Sequence, residues 1–208
     1  MSNIYSYIIF LAFAILGCST NKIEENKAIQ KIDSLDMNIF SKKGELVYSM
    51  TSPNSIYNKI KLNYESDKPI INIFNGDEIK YIISSNESIL SDNNKLLKLK
   101  GNVKLKTLNQ DEEFIDADNF VWNLKENNNY LLEGNIKFED QNIILYSGKA
   151  KLGSDNIIEF FNPVKYIVKG ENNDKKFETS SENAYYNLDT KSLSFKATDK
   201  RVKSVIYF

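Results

Sequence analysis

The chain has 208 residues, 41% apolar and 12% aromatic, enough for one domain with a real core plus a targeting segment, or at most two small domains. Its formal net charge is −1 and its basic residues are interspersed with acidic ones, so no field favours nucleic acid. It has no histidine and one cysteine, which excludes histidine metal sites, Ser-His-Asp triads, disulfides within the chain and cysteine-rich zinc sites.

A short apolar leader comes first. The run from Ile8 to Gly17 falls short of the ~20 residues that a spanning helix needs and has the length of a signal-peptide core. It ends in Ile15-Leu16-Gly17-Cys18, which resembles a bacterial lipobox: an aliphatic residue three positions before the cysteine and a small one directly before it. Residues 1–17 are therefore expected to be a lipoprotein signal peptide, with Cys18 as the lipid attachment point. An uncleaved N-terminal anchor is the alternative. Either would tie the chain to a membrane, an acyl chain contributing about 0.8 kcal/mol per buried CH2. Residues 18–39 are expected to be a lipid-anchored tether, polar and charged from Ser19 to about Leu35. The loose spacing of Ile23, Ile29 and Ile32 allows a helical turn there.

From about Phe40 the pattern becomes alternating, which predicts strands. Glu45–Met50, Lys59–Tyr64, Ile70–Phe74 and Glu78–Ile83 read as strands, divided by turn residues at Ser52-Pro53-Asn54, Ser66-Asp67-Lys68 and Asn75-Gly76-Asp77. The clearest strand is LKLKGNVKLK, Leu97 to Lys106. Leu97, Leu99, Val103 and Leu105 share one face, and Lys98, Lys100, Lys104 and Lys106 the other. The lysine stripe lacks the interleaved aromatic rings that stack nucleic-acid bases, so it reads as a solvated outer face that also discourages strand pairing.

Asp111, Glu112, Glu113, Asp116 and Asp118 follow without calcium-loop spacing, so they read as a solvated hairpin loop and not a metal site. Asn119–Lys125 places Phe120, Trp122 and Leu124 on one face. Lys125 to Asn129 supplies a turn, and Gly134–Asp140 places Ile136 and Phe138 inward. Glu139 and Asp140 are adjacent on that strand and so face opposite sides, which is poor geometry for a glycosidase pair. Ile157–Phe161, Val164–Val168 and Leu193–Ala197 continue the alternation. No amphipathic helix of ordinary length interrupts it. The class is all-β.

The body also repeats. GNVKLKT starts at Gly101 and GNIKFED at Gly134, 33 residues later, while DNFVWNL from Asp118 matches ENAYYNL from Glu182 at an offset of 64. A strand-turn-strand unit of about 32 residues cannot bury its apolar face alone. Stacked antiparallel hairpins can, as a sandwich, a barrel or a V-shaped trough. The ends of such a stack present unpaired backbone, near Gly44–Met50 and Arg201–Phe208.

The repeat "acidic-Asn-x-x-aromatic-Asn-Leu, turn, Leu-x-x-Gly-Asn-hydrophobic" resembles those of the LptC/LptA/OstA family of lipopolysaccharide-export bridge proteins. It is carried by Asp118–Phe138, Glu182–Phe195 and Leu99–Leu105, and the segment Gly44–Tyr57 looks like the cyanobacterial-type LptC. The anchored leader favours LptC within that family. The resemblance implies an open β-jellyroll or β-taco trough over residues 40–208, without catalysis and without a cofactor. It implies a protein at the periplasmic face of the inner membrane in a Gram-negative-type envelope. There it would accept lipopolysaccharide from the inner-membrane LptF/LptG transporter and pass it to an LptA-like bridge through edge strands.

Candidates for lining the lipid groove are Leu97, Leu99, Val103, Leu105, Phe120, Trp122, Leu124, Ile136, Phe138, Tyr186, Leu188 and Phe195. Such a trough shields acyl chains while the sugars stay in water. In any closed sandwich the same residues are plain core, and a structural or adhesive β-rich lipoprotein is the alternative function.

Overall fold

The computed structural model describes residues 28–91, 93–108, 114–124, 129–170 and 174–207. The leader, Cys18, the first part of the tether and Asp111, Glu112 and Glu113 lie outside the described residues. Among the described residues fourteen strands form one antiparallel sheet. They are β1 (Ile29–Phe40), β2 (Leu46–Asn58), β3 (Asn63–Asp67), β4 (Ile70–Asn75), β5 (Glu78–Ser84), β6 (Glu87–Ser91), β7 (Leu96–Thr107), β8 (Phe114–Asn123), β9 (Tyr130–Asp140), β10 (Ile143–Leu152), β11 (Ile157–Lys169), β12 (Lys175–Asn187), β13 (Leu193–Lys196) and β14 (Lys203–Ile206).

The sheet is a meander of long strands, each interrupted or bulged near its middle. β2 pairs with β4 through its first half and β3 through its second, and β7 pairs with β6 and then β5 in the same way. Thus β3 with β4, and β5 with β6, are each one long strand broken at its midpoint. The breaks align into a crease that crosses the whole sheet. Register slips mark it between Lys100 and Val103, between Tyr146 and Lys149, and between Phe161 and Val164. All three prolines in the chain, Pro53, Pro69 and Pro163, lie on this line, where a missing N–H costs no regular ladder bond.

Two devices hold the crease. On β7 and β9 it is a Gly-Asn pair with left-handed backbone: Gly101 (φ 74) with Asn102 (φ 50), and Gly134 (φ 77) with Asn135 (φ 44). Glycine has no steric penalty there, and asparagine tolerates it. On other strands a buried serine turns its hydroxyl back onto the backbone. Ser52 Oγ reaches the carbonyl of Asn54 at 2.7 Å and of Asp67 at 2.6 Å, and Ser147 Oγ those of Lys149 at 2.7 Å and Phe161 at 2.5 Å. Ser85 and Ser181 make the same bond to the carbonyls of Glu87 and Asn183.

Across the crease the sheet folds back on itself. Tyr48 on β2 and Trp122 on β8 are four strands apart, about 19 Å in a flat sheet. Their ring centroids are 5.3 Å apart. Among the described strands only sheet neighbours bring their Cα atoms within 8 Å, as expected for two faces packed about 10 Å apart. The first leaf holds β4, β5, β14, the second halves of β1, β7, β9 and β11, and the first halves of β2, β8, β10 and β12. The second leaf holds the rest. The result is all-β, as the repeats imply, and among the sandwich, barrel or trough that they leave open it is a sheet folded over on itself; the 33-residue spacing of Gly101 and Gly134 is one trip across both leaves and back.

The sheet differs from the sequence expectation in three places. Strand β1 begins at Ile29, within the segment read as tether. Its inward side chains are Ile32, Leu35, Met37 and Ile39, with Ser34 at φ 58 between the first two. Of the residues whose spacing allowed a helical turn, Ile23 lies outside the described residues, Ile29 is exposed on the strand's outer side and Ile32 points inward; the crease at Ser34 breaks the alternation after it. The turn residues at Ser52-Pro53-Asn54 and Ser66-Asp67-Lys68 are crease positions, and the chain reverses instead at 59–62, where Asn58 Oδ1 accepts the amides of Ile60 and Lys61 at 3.0 Å each. Gly44–Met50 is also no sheet edge, because β1 covers β2 along its length; the edges are β1 on one side and β13 with β14 on the other.

Candidate functional site

The alternation of each strand sends one row of side chains into the space between the leaves. On the first leaf the deeper row includes Met50, Ile71, Ile83, Leu105, Ile115, Phe138 and Leu145, matched by strand register. One step nearer the open side lies a mouth row that includes Tyr48, Ile73, Tyr81 and Thr107. On the second leaf the deeper row runs Ser55, Ser66, Ser88, Leu99, Phe120, Leu132, Ala150, Phe160 and Ala184, and the mouth row Tyr57, Tyr64, Leu90, Leu97, Trp122, Tyr130, Leu152, Ile158 and Tyr186.

Ten of the twelve candidate groove residues are buried in this one interior: Leu97, Leu99, Val103, Leu105, Phe120, Trp122, Ile136, Phe138, Tyr186 and Leu188. Leu124 and Phe195 are half-buried and pack against it. Lys98, Lys100, Lys104 and Lys106 all lie on the outer face. The sequence reading missed Tyr48, Tyr81, Tyr130 and Phe160. The first two alternate correctly within strands that it identified, Glu45–Met50 and Glu78–Ile83, and Phe160 does so within Ile157–Phe161. Their membership of the same interior needed the fold.

The interior is closed. The void bounded by Leu105, Thr107, Ile115, Phe138, Leu152, Ile158 and Leu188 is about 10 Å3, the size of one water at most. The mouth is shut by side chains alone. Tyr48 meets Trp122, Trp122 meets Tyr130 at 5.2 Å, Tyr81 meets Tyr130 edge-on at 5.8 Å, and Phe138 meets Tyr186 at 4.8 Å. Beyond them is a polar clasp. Asp140, 6% exposed at the end of β9 on the first leaf, accepts the hydroxyl proton of Tyr186 from the second leaf. Lys191, in the turn after β12, sits 3.5 Å from the same carboxylate oxygen.

Burial sets the electrostatics of the mouth. It raises the phenol pKa of Tyr48 and of Tyr81, and pushes Tyr130 up to about 12. All three are therefore neutral at any ordinary pH. Three polar atoms of the mouth rows have no hydrogen-bond partner: the hydroxyls of Tyr48 and Tyr81 and the indole Nε1 of Trp122. Ser88 Oγ, Asn63 Oδ1 and Asn156 Oδ1 are in the same condition elsewhere. Among the described residues no group of three or more His, Cys, Asp or Glu side chains could hold a metal ion, and no helix is long and apolar enough to cross a membrane.

Fold and interior define the class first: an antiparallel β-sheet creased into two leaves around an apolar interior, with the mouth held by side-chain contacts. The family follows from comparison with known proteins. The family model "Lipopolysaccharide-assembly, LptC-related" matches residues 4–130, more than half of the sequence, and the chain belongs to the LptC family. The match takes in the apolar leader and runs to the start of β9; β10 to β14 continue the same meander beyond it. Among solved structures, LptH from Pseudomonas aeruginosa, described as the LptA homologous periplasmic component of the conserved lipopolysaccharide transport device, is similar in fold. The TM-score is 0.49 and the identity 12%, covering 61% of this chain and 94% of that one. No curated protein matches the sequence.

Proposed function

We propose that the chain is a non-enzymatic carrier in lipopolysaccharide transport. It accepts the lipid from an inner-membrane ABC transporter of the LptF/LptG kind, holds its acyl chains between the leaves, and passes it to an LptA-like periplasmic bridge across a free sheet edge. Membership of the LptC family supports the substrate. The observation that carries the mechanism is the join between the leaves. Among the described residues backbone links them only at the crease, while the mouth is closed by aromatic contacts and a polar clasp, so the leaves can part without breaking the sheet ladder. Acyl chains entering from the mouth would exchange side-chain contacts for lipid contacts of the same chemistry, at little cost in exposed apolar surface.

The edges available for handover are β1 and the β13–β14 side. Attachment through a lipidated Cys18, or through an uncleaved leader, keeps the trough at the periplasmic face of the inner membrane.

The closed interior favours a second reading, a structural or adhesive β-lipoprotein with a permanent core. Photo-crosslinking separates the two, with probes at Leu105 in the deeper row and Trp122 in the mouth row, in cells making labelled lipopolysaccharide. Lipid adducts at both positions that depend on ATP hydrolysis by the transporter are expected. A folded protein with no adduct at either position establishes the permanent core.

A further inference from the structure

The three unpartnered groups of the mouth are unusual in being grouped. Tyr48, Tyr81 and Trp122 are 0%, 1% and 1% exposed, and neither hydroxyl nor the indole N–H meets an acceptor. Buried polar groups are nearly always bonded, and each that is not destabilises the closed state. Phenylalanine would fill the two tyrosine sites with the same ring and no such cost. The three belong to one chain of rings, Tyr48 to Trp122 to Tyr130 to Tyr81, along the open side of the trough. Two residues further in, about 7 Å along a strand, the deeper row from Leu99 through Phe120 and Leu132 offers only hydrocarbon.

An indole N–H can only donate, and a tyrosine hydroxyl buried among rings donates most readily to a strong acceptor. Over the stretch from Leu99 to Leu132 polarity therefore changes once along the depth of the trough, from a band of donors to hydrocarbon, while toward β3 and β6 the deeper row is serine. An acyl chain changes in the same order, from the ester or amide carbonyl at its root to its methylenes. We propose that Tyr48, Tyr81 and Trp122 form a donor band that binds the acyl carbonyl oxygens of an amphiphile whose chains fill the deeper rows. The inference rests on the carrier reading and adds the feature by which the trough senses how deep an acyl chain has entered. Chains borne on a sugar and chains borne on glycerol carry the same carbonyl.

The test uses the full chain and the Tyr48→Phe/Tyr81→Phe variant, which keeps both rings. Lipid A, a diacyl phosphatidylglycerol and its dialkyl ether counterpart serve as probes. Trp122, the single tryptophan, reports binding by its emission. Without lipid the variant is expected to melt no lower than the wild-type chain, because it loses no bond. Lipid A should bind the variant at least tenfold more weakly, and should shift Trp122 emission to the red as its N–H gains an acceptor. The diacyl lipid, if it binds, should lose affinity in the variant while the ether lipid does not; loss confined to lipid A assigns the band to sugar-borne chains. Equal affinity of both proteins for lipid A overturns the donor band and leaves the carrier reading standing. A variant that melts clearly lower without lipid overturns it too, since the hydroxyls then have partners in the closed protein. Failure of lipid A to bind the wild-type chain removes the carrier reading and the inference together.

Discussion

Gly134 illustrates how single residues set the crease. Its φ is 77°, and a Cβ placed there would lie 2.5 Å from Asp118 Oδ2, the atom that accepts the Asn135 amide at 2.8 Å. Gly76, at φ 64 in the β4–β5 turn, has the same backbone demand but open space around it. Gly76→Ala should therefore cost only the left-handed strain, about 1 kcal/mol, while Gly134→Ala should cost about 2–3 kcal/mol because Asp118 must also move. Urea unfolding of the two variants measures the difference. Equal losses would show that the glycine at the crease is needed for its dihedral alone. The Gly-Asn pairs were legible in the sequence as repeat markers, but nothing in the sequence showed that Asp118 and Gly134 oppose each other across a pair of strands.

At the scale of elements, the crease serines decide whether a long strand bends. Ser147 Oγ lies near two carbonyls and also accepts the amides of Lys149 at 3.2 Å and Phe161 at 3.1 Å, so one side chain serves the bulge on β10 and its neighbour β11. Ser147→Ala leaves part-buried backbone groups without a partner and is expected to lower stability by about 1–3 kcal/mol. Ser154→Ala, in the exposed β10–β11 connection, should change it by less than about 0.5 kcal/mol. Amide exchange at Lys149 and Phe161 should quicken in the first variant; unchanged protection there would remove the latch role. The strands on both sides were visible as alternation. Their continuity through the crease was not, because a proline or a serine-led triplet within a strand looks like a turn when its neighbours are unknown.

At the scale of the molecule, closure depends on neutral tyrosines at the mouth. Burial raises the pKa values of Tyr48, Tyr81 and Tyr130 above the unfolded value of 10.0. A group raised in the folded state lends full stability below its unfolded pKa and loses it as pH climbs through the folded one. Stability should thus hold up to about pH 10 and then fall, each of the three tyrosines removing up to about 1.4 kcal/mol per pH unit. Denaturant midpoints measured between pH 8 and 11.5 give the slope, and Tyr48→Phe/Tyr81→Phe should flatten it. A wild-type midpoint unchanged to pH 11.5 would mean that the mouth tyrosines ionise without opening the leaves.

What the sequence by itself determined was local and periodic. Strand identity, the inward face of each strand from Leu97 to Phe138, and the unit of about 32 residues all follow from side chains that alternate every two positions, a property each segment carries alone. The likeness to LptC repeats was also legible there, since it rests on short strings such as Asp118–Leu124 and Glu182–Leu188. The tertiary structure decided the rest: that β1 closes one edge, that the midpoints of eleven passes align into one crease among the described residues, and that Tyr48 meets Trp122 over a shared apolar interior. Those facts depend on which residues oppose each other between distant strands. Alternation gives each strand an inward face, and only the folded sheet fixes what that face meets.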